Sequence, residues 1–152
     1  MAKRLTIAAF LAILCVAAAS AQDLLGFGFF TSGLDDGSRS DWSIEITSRN
    51  SLILTFTQGG DMTALGPLTM SPEDGAAMWS LVEAARFDRR EENIRVREFK
   101  EVLFTFITVD DVERRSFILW RQDAVRDRRL RRLVEGIEEL IEEYAGNAPE
   151  IL

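Results

Sequence analysis

The chain has 152 residues, a formal net charge of −7, a single cysteine and no histidine. The absence of histidine excludes Ser-His-Asp and Cys-His catalytic systems, zinc sites with histidine ligands and haem with a histidine axial ligand. The acidic excess disfavours nucleic acid and anionic lipid as partners, because both are negatively charged. We therefore expect no nucleic-acid partner, and nothing in the composition points to a cofactor.

Residues 1–21 have the features of a secretory signal peptide. The basic pair Lys3-Arg4 precedes an apolar run over residues 5–18 that is short for a membrane span, and residues 19–21 read Ala-Ser-Ala, a small-x-small cleavage pattern. Cleavage before Gln22 removes Cys15 and leaves 131 residues with a net charge of −9. The sequence thus predicts an exported protein, in the bacterial periplasm or secreted. The mature chain is expected to be one domain in size, with no disulfide and no transmembrane span.

Residues 22–41 are predicted to form a leader before the domain. The first half is apolar but interrupted by glycines, and the second half is rich in glycine, aspartate and serine, as in a flexible loop. The apolar residues are Leu24, Leu25, Phe27, Phe29 and Phe30. We expect this half to be a short edge strand or a strap packed on the domain. If exposed, it would instead mark a binding site, but apolar patches of that size are uncommon on soluble domains.

Alternating apolar and polar residues predict a first β-hairpin over residues 42–57, with turn residues at 48–51. Gly59-Gly60-Asp61 is expected to end the hairpin, and Gln58 to Pro67 to form a glycine-rich loop. A helix should then begin after Ser71, an N-cap residue followed by proline at the first helical position and an aspartate in a capping-box position. We expect this helix to reach about Arg86.

A second hairpin is predicted from Ile94 to Val109 and from Val112 to Trp120, with Asp110-Asp111 as a two-residue turn. That register places Phe104 opposite Phe117 and Val102 opposite Leu119 on one face. The other face has Leu103 opposite Ile118, so it is less polar than a solvated face should be.

The last helix has the clearest pattern in the chain. We expect Asp123 to cap it, a 3.6-residue apolar repeat to continue to Tyr144, Gly146 to stand at its C-cap and Pro149 to follow.

The order hairpin–helix–hairpin–helix predicts an α+β domain over residues 42–146 in ββαββα order, followed by a tail over residues 147–152. Neither half is large enough to bury both sides of its helix alone. Together they predict one four-stranded antiparallel sheet with two helices on one face.

Two segments carry a resemblance to a known family. They are the capped helix and its approach, Leu68 to Phe87, and the closing helix around Leu130 to Leu140. With the predicted layout, these segments resemble small exported ββαββα domains, among them the emfourin-type inhibitors of thermolysin-like metalloproteases. The resemblance covers Trp42 to Tyr144 and implies the fold; for function it implies inhibition of an exported protease.

Carboxylates are the remaining candidates for catalysis or metal binding. Asp110 and Asp111 are adjacent in a turn, and the glutamates of the last helix lie on its outer face, so nothing places two acids across a cleft. The loops Asp35-Asp36-Gly37 and Gly59-Gly60-Asp61 lack the alternating ligand spacing of a calcium loop. We interpret these acids as solvated turn and surface residues and expect neither an enzyme nor a metal site.

Two regions are candidates for contact with a protein partner. The last helix places arginines in its N-terminal half and glutamates in its C-terminal half, which opposes the helix dipole. Pairs such as Arg131–Glu135 would absorb this charge; alternatively, the arginines form a basic patch with those of the neighbouring strand. The glycine-rich loop is the second region, because loops on a rigid scaffold often bind partners. The candidate residues are Gly59, Gly60, Asp61, Met62 and Leu65 in the loop and Arg114, Arg115, Arg121, Arg128 and Arg132 in the patch.

These observations favour an exported, non-enzymatic binding module that acts on a protein partner, with a protease inhibitor as the most concrete version. The alternative is a structural envelope protein that docks through its apolar leader. A hydrolase that uses carboxylates alone is the least favoured interpretation.

Overall fold

The computed structural model describes residues 24–32, 40–90, 102–146 and 151. Several expectations lie outside the described residues: the signal peptide, the flexible second half of the leader over residues 33–39 with its loop Asp35-Asp36-Gly37, the start of the second hairpin from Ile94 to Glu101, and the tail over residues 147–152 with Pro149, of which only residue 151 is described.

Six antiparallel strands form one sheet. They are β1 (Gly26–Ser32), β2 (Ser40–Thr47), β3 (Ser51–Gln58), β4 (Asp61–Thr69), β5 (Leu103–Val109) and β6 (Arg114–Trp120), in the spatial order β4-β3-β2-β1-β5-β6. The helices are α1 (Pro72–Ala84), α2 (Arg121–Arg126) and α3 (Arg128–Ala145). The prediction of a four-stranded sheet with two helices in ββαββα order is therefore wrong, because two strands and one helix were not recognised.

The first missed strand lies in the predicted leader. β1 is neither an edge strand nor a strap: it pairs with β2 on one side and with β5 on the other, at the centre of the sheet. Phe27 and Phe29 are buried on the helix-covered face, and Gly26 and Gly28 lie on the opposite face. β1 was missed because glycine is depleted in strands, so the Gly-Phe-Gly-Phe sequence did not look like the alternation of two faces that it forms.

The second missed strand, β4, takes the place of the expected glycine-rich loop. Gly59 and Gly60 alone form the turn from β3, with φ values of 59° and 86°. Two positive φ values are typical of a type I′ hairpin turn, which joins strands directly. Gly66 and Pro67 lie within β4, where the pairing with β3 shifts register between Leu52 and Leu54.

The second hairpin forms, but with a longer loop than the sequence predicts. Asp110 Oδ1 accepts hydrogen bonds from the N–H groups of Val112 (2.8 Å) and Glu113 (2.9 Å), so a four-residue loop replaces the two-residue turn. Phe117 consequently pairs with Phe106 and not with Phe104. Because the register moves by two residues, each side chain keeps its predicted face.

Local sequence signals place the start of α1 correctly but place the start of the last helix at the wrong residue. Ser71 Oγ accepts a hydrogen bond from the N–H of Asp74 at 3.0 Å, which confirms the predicted N-cap of α1. The last helix is divided: Asp127 caps α3 through hydrogen bonds from the N–H groups of Arg129 and Leu130, whereas Asp123 lies inside α2. Gly146, with φ 71°, ends α3 as expected.

The three helices share one core with the sheet. Val82 of α1, Ala124 of α2 and Leu133 of α3 belong to the same buried cluster as Phe29 and Phe106. The α+β class is therefore correct although the strand count is not. Among the described helices, none is both long and apolar enough to traverse a lipid bilayer.

Candidate functional site

The five loop residues singled out from the sequence lie together along one edge of the sheet. Gly59 and Gly60 form the turn, and Asp61, Met62 and Leu65 lie in β4. Every residue from Asp61 to Pro67 is exposed, with Met62 72% and Leu65 39% accessible. In the part of the chain that the structure describes, β3 is the only element that packs extensively against β4.

The turn geometry determines which backbone groups of β4 face outward. In a type I′ hairpin the residues that flank the turn, here Gln58 and Asp61, form a hydrogen-bonded pair, and such pairs then alternate along the ladder. Thr63 and Leu65 are thus bonded to β3, whereas the N–H and C=O groups of Met62 and Ala64 point away from it. These outward groups give β4 the chemistry of a strand that lacks one neighbour.

The opposite edge of the sheet has a different character. β6 begins with Arg114 and Arg115, and charged side chains on an edge strand disfavour pairing with a further strand. The β4 segment from Met62 to Leu65 carries no charged residue. Proline at position 67 disrupts the regular ladder only beyond that segment.

The five candidate arginines do not form one patch. Arg114 and Arg115 lie at the start of β6 and Arg121 follows its end, so about 20 Å of strand separates them. Arg115 is paired with Glu113 of the adjoining loop. Arg128 and Arg132 are exposed on α3, where the expected Arg131–Glu135 pair forms at 3.7 Å.

A groove between α1 and α3 was not recognised from the sequence. It has a volume of about 230 Å³. Its floor is apolar, and its rim carries three carboxylates: the lining residues are Asp74, Ala77, Met78, Leu81, Gly136, Glu139, Leu140 and Glu143. Leu81 packs where a Cβ on Gly136 would lie, so a side chain at position 136 would collide with it. A glycine inside an otherwise regular helix was the available sequence signal for this close approach.

Asp74 is held in the groove by two hydroxyl groups. Ser71 Oγ donates to Asp74 Oδ2 at 2.6 Å and Tyr144 OH donates to the same oxygen at 2.8 Å. These hydrogen bonds hold the pKa of Asp74 below its ordinary value, and the one from Ser71 has the larger effect. A general acid needs the opposite shift, so this carboxylate is suited to attracting a cation and not to delivering a proton.

The face of the sheet away from the helices is divided in character. Toward β1, β5 and β6 it presents Phe30, Ile107, Val109 and Ile118, whereas β2 and β3 contribute mainly polar residues there. The sequence had suggested that this face is less polar than a solvated one. Among the described apolar residues of the predicted leader, Phe30, 37% exposed, lies on this face, and Leu25, just before β1, is also exposed.

No protein-family model matches this sequence, and a comparison with curated proteins also found no match. The resemblance to emfourin-type inhibitors therefore stays a prediction.

Proposed function

We propose that this protein is a non-enzymatic binding module that works outside the cytoplasm and takes an extended segment of a protein partner along β4. The observation that carries the proposal is the exposed edge of β4 between Asp61 and Leu65, which no other described strand pairs with. Backbone groups that face outward from an edge strand bind another extended chain through main-chain hydrogen bonds. The chemistry of the edge thus favours a polypeptide as its ligand.

The side chains of β4 favour the same function. Met62 and Leu65 are large, apolar and exposed, and methionine is common on surfaces that adapt to different partners. They lie on opposite faces of the strand, because Leu65 pairs with the buried Leu54 and Met62 pairs with Thr57. A strand added to β4 would therefore have one apolar neighbour on each face. Main-chain bonds would supply affinity and these two side chains would supply selectivity.

Two variants at one position separate the backbone from the side chain. Met62→Pro removes an outward N–H while leaving the bonds to β3 intact, and proline is tolerated on an edge strand where its nitrogen faces solvent. Met62→Ala removes the side chain but keeps the N–H, and is the matched control. We expect peptides selected from a random heptapeptide display library to bind the Met62→Pro variant at least about tenfold more weakly than the wild type. The Met62→Ala variant should retain most of the affinity.

Circular dichroism would first establish that both variants fold. Equal affinity of the selected peptides for the wild type and the Met62→Pro variant would refute strand addition at β4.

The resemblance to emfourin-type domains suggests one specific form of this binding function, the inhibition of an exported metalloprotease. It is tested by adding the purified protein at micromolar concentration to a panel of secreted metalloproteases and measuring peptide hydrolysis. If no protease is inhibited and none forms a complex, the inhibitor version is rejected, while binding of other extended segments is tested by the display experiment.

One observation favours a second candidate function. Phe30, from the apolar leader, is exposed on the apolar half of the helix-free face, and Leu25, just before β1, is exposed as well. A structural envelope protein would use this face to dock on an assembly. That function predicts co-fractionation with a large envelope complex, which the double substitution of Leu25 and Phe30 by serine would abolish while Met62→Pro would not.

A further inference from the structure

The groove between α1 and α3 has no part in strand addition at β4. We propose that it is a second recognition site, which binds the side chain of an arginine presented by a polypeptide partner.

The size and floor of the groove fit one long side chain. Its volume of about 230 Å³ is below the range of about 300–1,000 Å³ that is typical of small-molecule pockets. Ala77, Leu81, Gly136 and Leu140 provide an apolar floor. Arginine has an aliphatic stem that packs on apolar surface while its charged head stays in water at the rim.

The rim is electrostatically unfavourable without a bound cation. Glu139 and Glu143 are four residues apart on one helix, where like charges repel. Both lie in the C-terminal half of α3, near the negative end of the helix dipole, and the last turn of α3 contains no basic residue. Asp74 adds a third carboxylate from α1. Within the described residues, no ion pair involves any of these three.

A guanidinium group suits the rim better than a metal ion does. No group of three or more acidic, cysteine or histidine side chains in the described ranges is arranged to hold a metal. A guanidinium group carries five N–H donors in a planar fork, so it can bond carboxylates from two helices at once. A lysine ammonium is a compact and strongly hydrated point charge, which fits this arrangement less well.

The test is an NMR titration of the ¹⁵N-labelled protein with the tripeptide acetyl-Ala-Arg-Ala-amide. Two further tripeptides carry lysine or the uncharged analogue citrulline in the central position. We expect the arginine peptide to shift the amide signals of Ala77, Leu81, Gly136 and Leu140, and to bind at least about tenfold more tightly than the citrulline peptide. Added salt should weaken this binding, because the rim charges are exposed.

Glu143→Gln and Glu142→Gln form a matched pair of variants. Each removes one charge from the same turn of α3, but only Glu143 lines the groove. We expect Glu143→Gln to weaken binding of the arginine peptide several-fold and Glu142→Gln to leave it nearly unchanged.

Three results would overturn the proposal: equal binding of the citrulline or lysine peptide, equal loss in the two variants, or signal shifts that map away from the groove. Concentration-dependent light scattering that Glu143→Gln abolishes would also overturn it, because the occupant would then be the arginine-rich half of α3 in a second copy.

Discussion

Replacing Phe29 by alanine tests whether β1 is a central strand. Phe29 is 0% exposed, and its ring centroid lies 5.3 Å from that of Phe104 and 5.1 Å from that of Phe106. Truncating a fully buried phenylalanine lowers the free energy of unfolding by about 3–5 kcal/mol, through lost transfer energy and the cavity left behind. Typical domains have only about 5–15 kcal/mol in total, so the loss is a large fraction of the stability.

The neighbouring Phe30 provides the matched control. It lies on the same strand but on the helix-free face and is 37% exposed, so Phe30→Ala should cost about 1 kcal/mol or less. Equilibrium urea denaturation followed by far-ultraviolet circular dichroism measures both variants, and the midpoint should fall far more for Phe29→Ala, with a similar slope. If Phe29→Ala does not fold, Phe29→Leu replaces it, with an expected loss of about 1–2 kcal/mol. Equal losses at positions 29 and 30 would refute the placement of β1 in the core.

Three further predictions follow from single contacts. Asp127→Ala should lower the free energy of unfolding by about 1–2 kcal/mol in urea denaturation, because it removes the cap of α3 and the partner of Arg90, 2.8 Å away; no loss would contradict that role. Gly66→Ala should lower the melting temperature, since position 66 has φ 121° and a new Cβ would lie 2.7 Å from the carbonyl oxygen of Leu52; an unchanged melting temperature would show that the strand accommodates it. Tyr144→Phe should raise the pKa of Asp74 in an NMR titration of its carboxyl group, because one of two donated hydrogen bonds is lost. Because the pKa of Asp74 is lowered in the folded wild type, this carboxylate stabilises the folded state at pH values above its unfolded pKa of about 3.9. The difference in stability between the wild type and Tyr144→Phe should therefore be present at neutral pH and vanish as the pH falls below that value. An unchanged pKa in the variant would refute the assignment.

Elements with local signals were predicted well. The hairpin of β2 and β3 has regular alternation, and α1 has a serine cap followed by proline, so a few neighbouring residues specify each. β1 depends on non-local pairing: its partner β5 is more than seventy residues away in sequence. On the helix-free face of β1, Gly26 and Gly28 have only a hydrogen atom as side chain, so the alternation typical of a strand was weak there.

The other errors arise from side chains that suit two local structures. Asp123 and Asp127 are four residues apart, and either is a suitable N-cap, so the sequence alone did not place the break between α2 and α3. The Asp110 side chain bonds two N–H groups of its own loop, which favours four loop residues over two.

The candidate site was predicted in part. The five loop residues were predicted to lie in a glycine-rich loop but lie in a tight turn and an exposed strand. They are accessible in either arrangement. The arginines were grouped because the last helix and the neighbouring strand were expected to place them side by side, whereas β6 keeps Arg114 and Arg115 apart from Arg121. The groove depends on the contact between α1 and α3, which joins residues more than fifty positions apart, such as Leu81 and Gly136. Only the glycine at 136 hinted at it.

Amide hydrogen exchange along β4 tests the central claim, that this strand has a free edge which receives a partner. In the free protein, the amides of Met62 and Ala64 should exchange rapidly, whereas those of Thr63 and Leu65, bonded to β3, should exchange slowly. Addition of a selected peptide should slow exchange at Met62 and Ala64 specifically. Slow exchange at these two amides before any peptide is added, or no change after saturation with peptide, would contradict the claim.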